Sequence, residues 1–193
     1  MTQNTHVVAV SGSLATDSVT RIALQEVLAA SQEAGAQTSF VDLREYNLPV
    51  FDADNQDAGD APELREQLRN ADAIVLGTPM YHGSYSSPIK TALDYSGFDE
   101  FEETTVGLLA VAGGSFPKAA LDHLRSVVRA LDAWPLPLDV AIPDSHTQVD
   151  DAGLVNDSIR DRVNKLGTEV VQYSGISQQP ETASTTPPLS NAD

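Results

Sequence analysis

Residues 73–94 read AIVLGTPMYHGSYSSPIKTALD, which combines a short apolar run, a turn-rich loop and a segment with helical spacing. The run Ala73–Gly77 is continuous and rich in β-branched residues, as expected for a strand that is buried on both faces. Apolar residues recur at helical spacing from Ser87 to about Ser96. The stretch therefore predicts a buried strand, a loop that starts at Thr78, and a helix.

The same alternation of strand and helix patterns recurs along the whole chain. The predicted strands are Val7–Val10, Thr38–Leu43, Ala73–Gly77, Val106–Val111 and Leu138–Ile142. The predicted helices are Arg21–Leu28 with an end near Gly35, Pro62–Asn70, Ser87–Ser96, Lys118–Ala133 and Asp157–Tyr173. Strands that alternate with helices in this way form βαβ units. The pattern predicts an α/β fold, a flavodoxin-like, doubly wound, five-stranded parallel sheet with helices on both faces.

The length of 193 residues predicts a single domain, which we place at residues 1–176. Residues 177–193 form a tail whose sequence from Gln178 is rich in Pro, Ser, Thr and Ala and has almost no large apolar side chain. Such a segment buries too little apolar surface to offset the entropy lost on ordering. We expect this tail to be disordered.

Composition excludes several classes of function. The 28 acidic and 11 basic residues give a net charge of −17, which argues against nucleic acid and anionic membranes as partners. The acidic residues are spread along the chain, as in salt-adapted proteins. There is no Cys, so redox chemistry requires a bound cofactor. A polar N-terminus and the lack of any run of about 20 apolar residues predict a soluble, cytoplasmic protein.

Ligands of doubly wound sheets bind beyond the carboxyl ends of the strands, where the strand order reverses. The loop after the first strand, residues 11–21, offers hydroxyls and free amides at the start of a helix, where a phosphate binds well. It lacks both G-x-G-x-x-G and G-x-x-x-x-G-K-[ST], so a single terminal phosphate such as that of FMN fits better than a dinucleotide. An ordinary Ser/Thr capping turn is the alternative.

The loops after the third and fourth strands offer a second set of candidates. Residues 79–84 combine a rigid backbone with flat or polarizable side chains, as an isoalloxazine ring requires: Pro79, Met80, Tyr81, His82, Gly83 and Ser84. Core packing for Met80 and Tyr81, and a surface turn for His82, are the alternatives. Gly113 and Gly114 have no Cβ and allow a ligand close to the backbone, although a plain turn also explains them. The histidines lie in different elements without ligand spacing, so no metal site is predicted.

These pieces occur in order, and over residues 7–134 the chain resembles the NADPH-dependent FMN reductases, flavodoxin-like enzymes that include quinone, azo and chromate reductases. Three motifs carry the resemblance: Gly12-Ser13-Leu14 followed by Ser18 and Arg21; Pro79-x-Tyr81-His82 with Ser84, Pro88, Lys90, Leu93 and Asp94; and Ala112-Gly113-Gly114. The segment Leu48-Pro49 with Asp52 is also similar to the family's sequence after the second strand.

The resemblance implies a cofactor site made from all three loops. Its phosphate end would comprise Ser11, Ser13, Ser18 and Thr20, with Leu14 beside it, while residues 79–84 would hold the isoalloxazine and Ala112, Gly113 and Gly114 would close the other side. Lys90 and Asp94 are expected to pair with each other. The family often has an arginine where this chain has Ala15, which leaves the phosphate to amides, hydroxyls and Arg21 and predicts weak retention of FMN.

The resemblance further implies an oxidoreductase that passes hydride from NADPH or NADH to bound FMN and on to a small-molecule acceptor. Quinones, flavins, azo compounds and metal oxyanions are all candidate acceptors. No catalytic acid or base is predicted, because the cofactor carries the hydride chemistry. A homodimer or homotetramer is implied. The alternatives are a flavodoxin-type electron carrier and a flavin-free acidic binding domain on the same scaffold.

Overall fold

Parallel strands form the central sheet of the computed structural model, which describes residues 5–150 and 153–175. The strands are β1 (His6–Ser11), β2 (Gln37–Asp42), β3 (Ala73–Tyr81), β4 (Ser84–Tyr85), β5 (Thr105–Val111), β6 (Trp134–Ile142), β7 (Val149–Asp150) and β8 (Gly153–Leu154). The long strands are all parallel and lie in the order β2-β1-β3-β5-β6. β4 turns back antiparallel onto the end of β3, and β7 pairs with β8.

Helices cover both faces of this sheet. They are α1 (Val19–Glu33), α2 (Ala61–Arg69), α3 (Ser87–Asp94), α4 (Phe98–Phe101), α5 (Lys118–Ala130) and α6 (Asp157–Gln172). α1 and α6 pack on one face, and α2, α3 and α5 pack on the other. The predicted doubly wound α/β fold is confirmed. Within the described residues, no helix is long and apolar enough to cross a membrane.

Alternation along each strand divides the core into two layers. Val8 and Val10 of β1 belong to the cluster that α2, α3 and α5 cover, whereas Val7 and Ala9 belong to the cluster under α1 and α6. All four side chains are buried. Successive side chains of a strand point to opposite faces, so a strand buried on both faces needs apolar residues throughout. This requirement explains the continuous apolar runs of the sequence.

The predicted end of the third strand was wrong by four residues. Pro79, Met80 and Tyr81, expected in a loop, lie on β3, which ends at Tyr81. Pro79 pairs in register with Val111 of β5, and Met80 and Tyr81 pair with β4. The antiparallel return of β4 gives the end of β3 a partner that the apolar run alone did not reveal.

The last strand also begins earlier than predicted, at Trp134 instead of Leu138. Pro135 and Pro137 lie in the part of the strand that was not predicted. β6 lies at the edge of the sheet, where a residue without an N–H is tolerated, and its pairing with β5 is irregular between Val106 and Leu108. The other predicted bounds lie within three residues of those observed. The predicted tail, residues 177–193, lies outside the described residues.

Close packing of α1 against α6 depends on Gly167, and this contact gives the first prediction. A Cβ added at Gly167 would lie 2.3 Å from the carbonyl oxygen of Val27 and 2.8 Å from the Cβ of Ala30. We expect Gly167→Ala to lower the free energy of unfolding by about 1–3 kcal/mol, because the helices must move apart. Denaturant unfolding measures this change. Thr168→Ala, at an exposed position of the same helix, is the control, and equal midpoints for the two variants would contradict the packing argument.

Candidate functional site

Three loops meet at the carboxyl edge of the sheet where the strand order reverses. Ser11 at the end of β1 is in register with Gly77 of β3, and Pro79 is in register with Val111 at the end of β5. The chain leaves β1 towards α1 on one face and leaves β3 towards α3 on the other. The crevice between the diverging loops is where doubly wound folds bind ligands.

Short hydrogen bonds join the first loop to the third strand and to the start of α3. The Gly12 amide donates to the Gly77 carbonyl at 2.8 Å, and the Ser86 hydroxyl donates to the Gly12 carbonyl at 2.7 Å. The Thr78 hydroxyl oxygen accepts from the Ser86 amide at 2.9 Å. A Cβ on Gly12 would lie 2.8 Å from the Ser86 hydroxyl. Only glycine allows the two segments to approach this closely.

The first loop presents backbone amides that the described parts of the chain leave unpaired. These are the amides of Ser13, Leu14, Thr16 and Asp17. Ser18 ends the loop and caps α1, its hydroxyl oxygen accepting from the Arg21 amide at 3.1 Å. Thr20 follows, buried in the first turn of α1. Unpaired amides beside the positive end of a helix dipole form an arrangement suited to an anion.

Ser11 has an unsatisfied polar group in this otherwise well-bonded region. Its side chain is fully buried, and its hydroxyl finds no hydrogen-bond partner among the described residues. The buried hydroxyl of Ser13 accepts only a long contact, 3.4 Å, from the Ala15 amide. An unsatisfied buried hydroxyl costs about 1–3 kcal/mol, so a ligand or a water molecule that bonded to Ser11 would recover this free energy.

Two arginines hold the first loop from outside. Arg21 pairs with the buried carboxylate of Asp42 through Nε at 2.8 Å, and its terminal nitrogens donate to the carbonyls of Ala15 and Thr16. Arg44, which the sequence reasoning missed, donates to the Leu14 carbonyl and to the Thr16 hydroxyl. Arg44 lies beyond the second strand, far from the loop in sequence, and no local motif marks it.

The predicted ring-binding segment forms a hairpin. His82 and Gly83 have φ values of 50° and 80° and make the tight turn between β3 and β4. Tyr81, at the end of β3, is 58 % exposed, whereas Met80 packs against the core, as the alternative interpretation expected. His123 of α5 supports the hairpin, with its Nδ1 2.9 Å from the Ser84 hydroxyl. The edge of its ring also meets Tyr85.

The glycine loop after β5 is open. A Cβ on Gly113 or Gly114 would meet no atom within 4 Å. The neighbouring Ala112 is buried, and its carbonyl accepts from the Ser145 amide at 3.0 Å. The Gly114 carbonyl accepts from the Asp144 amide at 3.1 Å, so the segment after β6 supports this loop. Sequence reasoning had missed that segment.

Other candidate groups have structural roles. Lys90 and Asp94 form the expected ion pair one turn apart on α3. The ring nitrogens of His6 contact the Asn70 carbonyl and the Ser39 hydroxyl. No group of metal-binding side chains occurs within residues 5–150 and 153–175.

One cavity lies beside the first loop, and a larger one lies at the other end of the sheet. One of about 600 Å³ lies between β6 and α6 at the opposite edge of the sheet, lined by Trp134 and Tyr173 among others, and contains none of the predicted site residues. A smaller one of about 240 Å³ adjoins Leu14 and Tyr46. Burial raises the pKa of the Tyr46 phenol, and nearby carboxylates raise it further, so this side chain stays neutral. The convergence of loops is a better guide to the site than cavity size.

Comparison with known proteins agrees with this geometry. The sequence profile of a family described as NADPH-dependent FMN reductase matches residues 5–147, which include all three loops. The chain belongs to this family. Curated relatives from Staphylococcus aureus strains USA300 and COL, named FMN-dependent NADPH-azoreductase, are 41% identical over 98 residues, or 50% of this chain and 52% of theirs. The chain thus spans about half the length of these curated relatives.

Solved structures share the fold. An oxidoreductase from Corynebacterium diphtheriae has a TM-score of 0.71 at 21% identity, covering 88% of this chain and 96% of its own. FerB, a flavoenzyme NAD(P)H:(acceptor) oxidoreductase from Paracoccus denitrificans, has a TM-score of 0.73 at 17% identity with the same coverage. The apo form of the NADH:FMN oxidoreductase EMOB scores 0.68 at 22% identity, covering 93% and 94%. These likenesses establish the flavodoxin-like architecture of this FMN reductase family member.

The bond from Ser86 to Gly12 gives the second prediction. Ser86→Ala removes the donor and leaves the Gly12 carbonyl buried without its side-chain partner. We expect the free energy of unfolding to fall by about 1–3 kcal/mol. Ser87→Ala, at the exposed first position of α3, is the matched control and should change stability by less than about 0.5 kcal/mol. Urea unfolding of both variants tests this, and an unchanged midpoint for Ser86→Ala would refute the structural role of the bond.

Proposed function

We propose that this chain is an FMN-dependent NAD(P)H oxidoreductase that reduces a small organic or inorganic acceptor. The observation that carries the proposal is the first loop, where unpaired amides lie between the unsatisfied Ser11 hydroxyl at the end of β1 and the start of α1. Membership of the NADPH-dependent FMN reductase family supports the same cofactor.

The residues of the first loop fit the phosphate end of FMN. Ser13 and Ser18 bring nearly buried hydroxyls to the loop, and the hydroxyl of Ser18 retains its own proton to donate while it caps the helix. Thr20 supplies a further hydroxyl in the first turn, and Leu14 is half exposed beside the amides. A phosphate needs several donors in a concave arrangement, and this loop offers amides and hydroxyls together.

The other two loops fit the isoalloxazine end. The hairpin of residues 79–84 combines a backbone fixed by pairing with an exposed aromatic side chain, Tyr81, beside His82. Across from it, Gly113 and Gly114 leave open space where side chains would otherwise stand. A flat ring needs a firm support on one side and room on the other. Pro79, Met80, Gly83, Ser84 and Ala112 complete the proposed ring site.

Bound FMN would supply the hydride chemistry, accepting from a nicotinamide and passing electrons to the acceptor. The chain's own residues would bind and orient, and we assign none of them as a proton donor or acceptor. The open glycine loop supports an accessible ring face. Such access fits acceptors of varied shape, including azo compounds, quinones, free flavins and metal oxyanions, and the relatives named azoreductases favour azo compounds as the first to try.

Assembly and compartment are part of the proposal. The family resemblance supports a homodimer or homotetramer, and the partners would otherwise be small molecules. The cytoplasm is the compartment we expect. Light scattering of the purified chain at high salt measures the mass directly, and a monomer would refute the proposed assembly.

An anaerobic visible spectrum tests the function. The protein is incubated with FMN, desalted, and titrated with NADPH and then with NADH. We expect retained flavin absorbance that bleaches with a nicotinamide and returns when an azo dye or a quinone is added. Retained flavin that neither nicotinamide bleaches would instead favour an electron carrier. Loss of all flavin on desalting, together with no binding at equilibrium, would favour a flavin-free binding domain.

Ser11 gives the third prediction because its hydroxyl costs stability in the absence of a ligand. Ser11→Ala should leave the free energy of unfolding of the flavin-free protein unchanged or raise it by up to about 1 kcal/mol, while weakening FMN binding. Ser31→Ala is the contrast, since the equally buried Ser31 hydroxyl lies within 2.9 Å of the Val27 carbonyl. That variant should lose about 1 kcal/mol of stability and keep its affinity for FMN. Tighter or equal FMN binding by Ser11→Ala would count against Ser11 as a ligand.

A further inference from the structure

Arg44 reaches a loop that lies far from it in sequence. From beyond the end of β2, one terminal nitrogen donates to the Leu14 carbonyl at 3.3 Å and to the Thr16 hydroxyl at 3.0 Å. Its backbone amide donates to Asp42, whose other carboxylate oxygen pairs with Arg21. Asp42 is in register with Ser11 in the neighbouring strand. One buried carboxylate therefore anchors both arginines beside the first loop.

The direction of these bonds decides where the loop amides point. A trans peptide group is planar, so its carbonyl and its N–H point in opposite directions. Arg44 holds the Leu14 carbonyl, and Arg21 holds the carbonyls of Ala15 and Thr16. The amides that follow, those of Ala15, Thr16 and Asp17, must therefore point away from the guanidinium groups. Consecutive amides turned the same way form an anion-binding concavity.

Charge adds to this orientation. The chain has 11 basic residues against 28 acidic ones, and residues 11–18 include no Lys or Arg. Asp17 lies in the loop as well. The guanidinium of Arg44 contacts the loop on both sides of Ala15, at the Leu14 carbonyl and at the Thr16 hydroxyl. Its positive charge therefore lies beside a loop that has no basic side chain of its own.

We propose that Arg44 is a positioning residue for the phosphate end of FMN. It fixes the Leu14 carbonyl and the Thr16 hydroxyl so that the loop amides present themselves to the phosphate, and it supplies the positive charge that Ala15 does not. This inference rests on the proposed function and goes beyond it by naming a phosphate-selective residue outside the family's loop motif. Arg44 acts on the flavin only through the phosphate-binding loop. It should therefore strengthen the binding of FMN, which has a phosphate, and not that of riboflavin, which has none.

Affinities of the full chain for FMN and for riboflavin test the inference, measured by flavin fluorescence at constant salt. Arg44→Met should weaken FMN binding roughly tenfold, the effect of losing a hydrogen bond to a charged group, and leave riboflavin binding unchanged. Arg129→Met is the matched control, because it removes the same charge from an exposed position near the end of α5. This control should bind both flavins like the parent chain.

A second variant separates positioning from general damage to the fold. Ala15→Arg in the Arg44→Met background returns a guanidinium to the loop and should recover most of the lost FMN affinity. Equal FMN affinity in Arg44→Met and the parent chain would overturn the role of Arg44, and so would equal losses for FMN and riboflavin. A parent chain that binds riboflavin as tightly as FMN would overturn it as well. Failure of the parent chain to bind either flavin would instead refute the proposed function itself.

Discussion

Parallel pairing of β1 with β3 is the constraint on which the candidate site depends. It brings Ser11 level with Gly77, and from this line the chain turns to opposite faces of the sheet. Gly12 then lies so close to Ser86 that no side chain fits between the segments. Hydrogen bonds from Gly12 to Gly77 and from Ser86 to Gly12 consequently join the first loop to the segment that follows β3. Both segments border the same crevice. The open glycine loop after β5 joins them because β5 is the next strand in the sheet.

Charge acts over two different distances in this molecule. A net charge of −17 gives the chain a field that opposes an approaching phosphate. Physiological salt weakens such a field beyond about 8 Å. At the first loop, however, Arg21 and Arg44 lie against the backbone, and the unpaired amides add their own partial positive charge. These groups place positive charge next to the loop, although the net charge of the chain is negative.

Apolar periodicity predicted most of the fold, because the inner strands β1, β3 and β5 are buried on both faces and the long helices on one. The errors occurred where hydrogen bonding to a neighbouring strand, and not the apolar pattern, sets the end of a strand. The apolar pattern did not reveal the start of β6 at Trp134, and pairing with β4 lengthened β3 to Tyr81. The sequence motifs predicted which three loops form the candidate site. The order of the strands brings those loops together at one edge of the sheet. Arg44 was missed since its contact to Leu14 spans 30 residues, a distance at which no local spacing carries information.

The hairpin at the end of β3 places exposed residues of the proposed ring site beside buried ones. Tyr81 and His82 are exposed, whereas Met80 packs against the core and Ser84 and Tyr85 contact His123. Replacement of Tyr81 or His82 therefore leaves the hydrophobic core untouched. Because His82 has a φ of 50°, Gly, Asn or Asp replaces it most readily, whereas Tyr81 is free to vary. The proposed ring site can therefore diverge between related proteins while their common architecture stays the same.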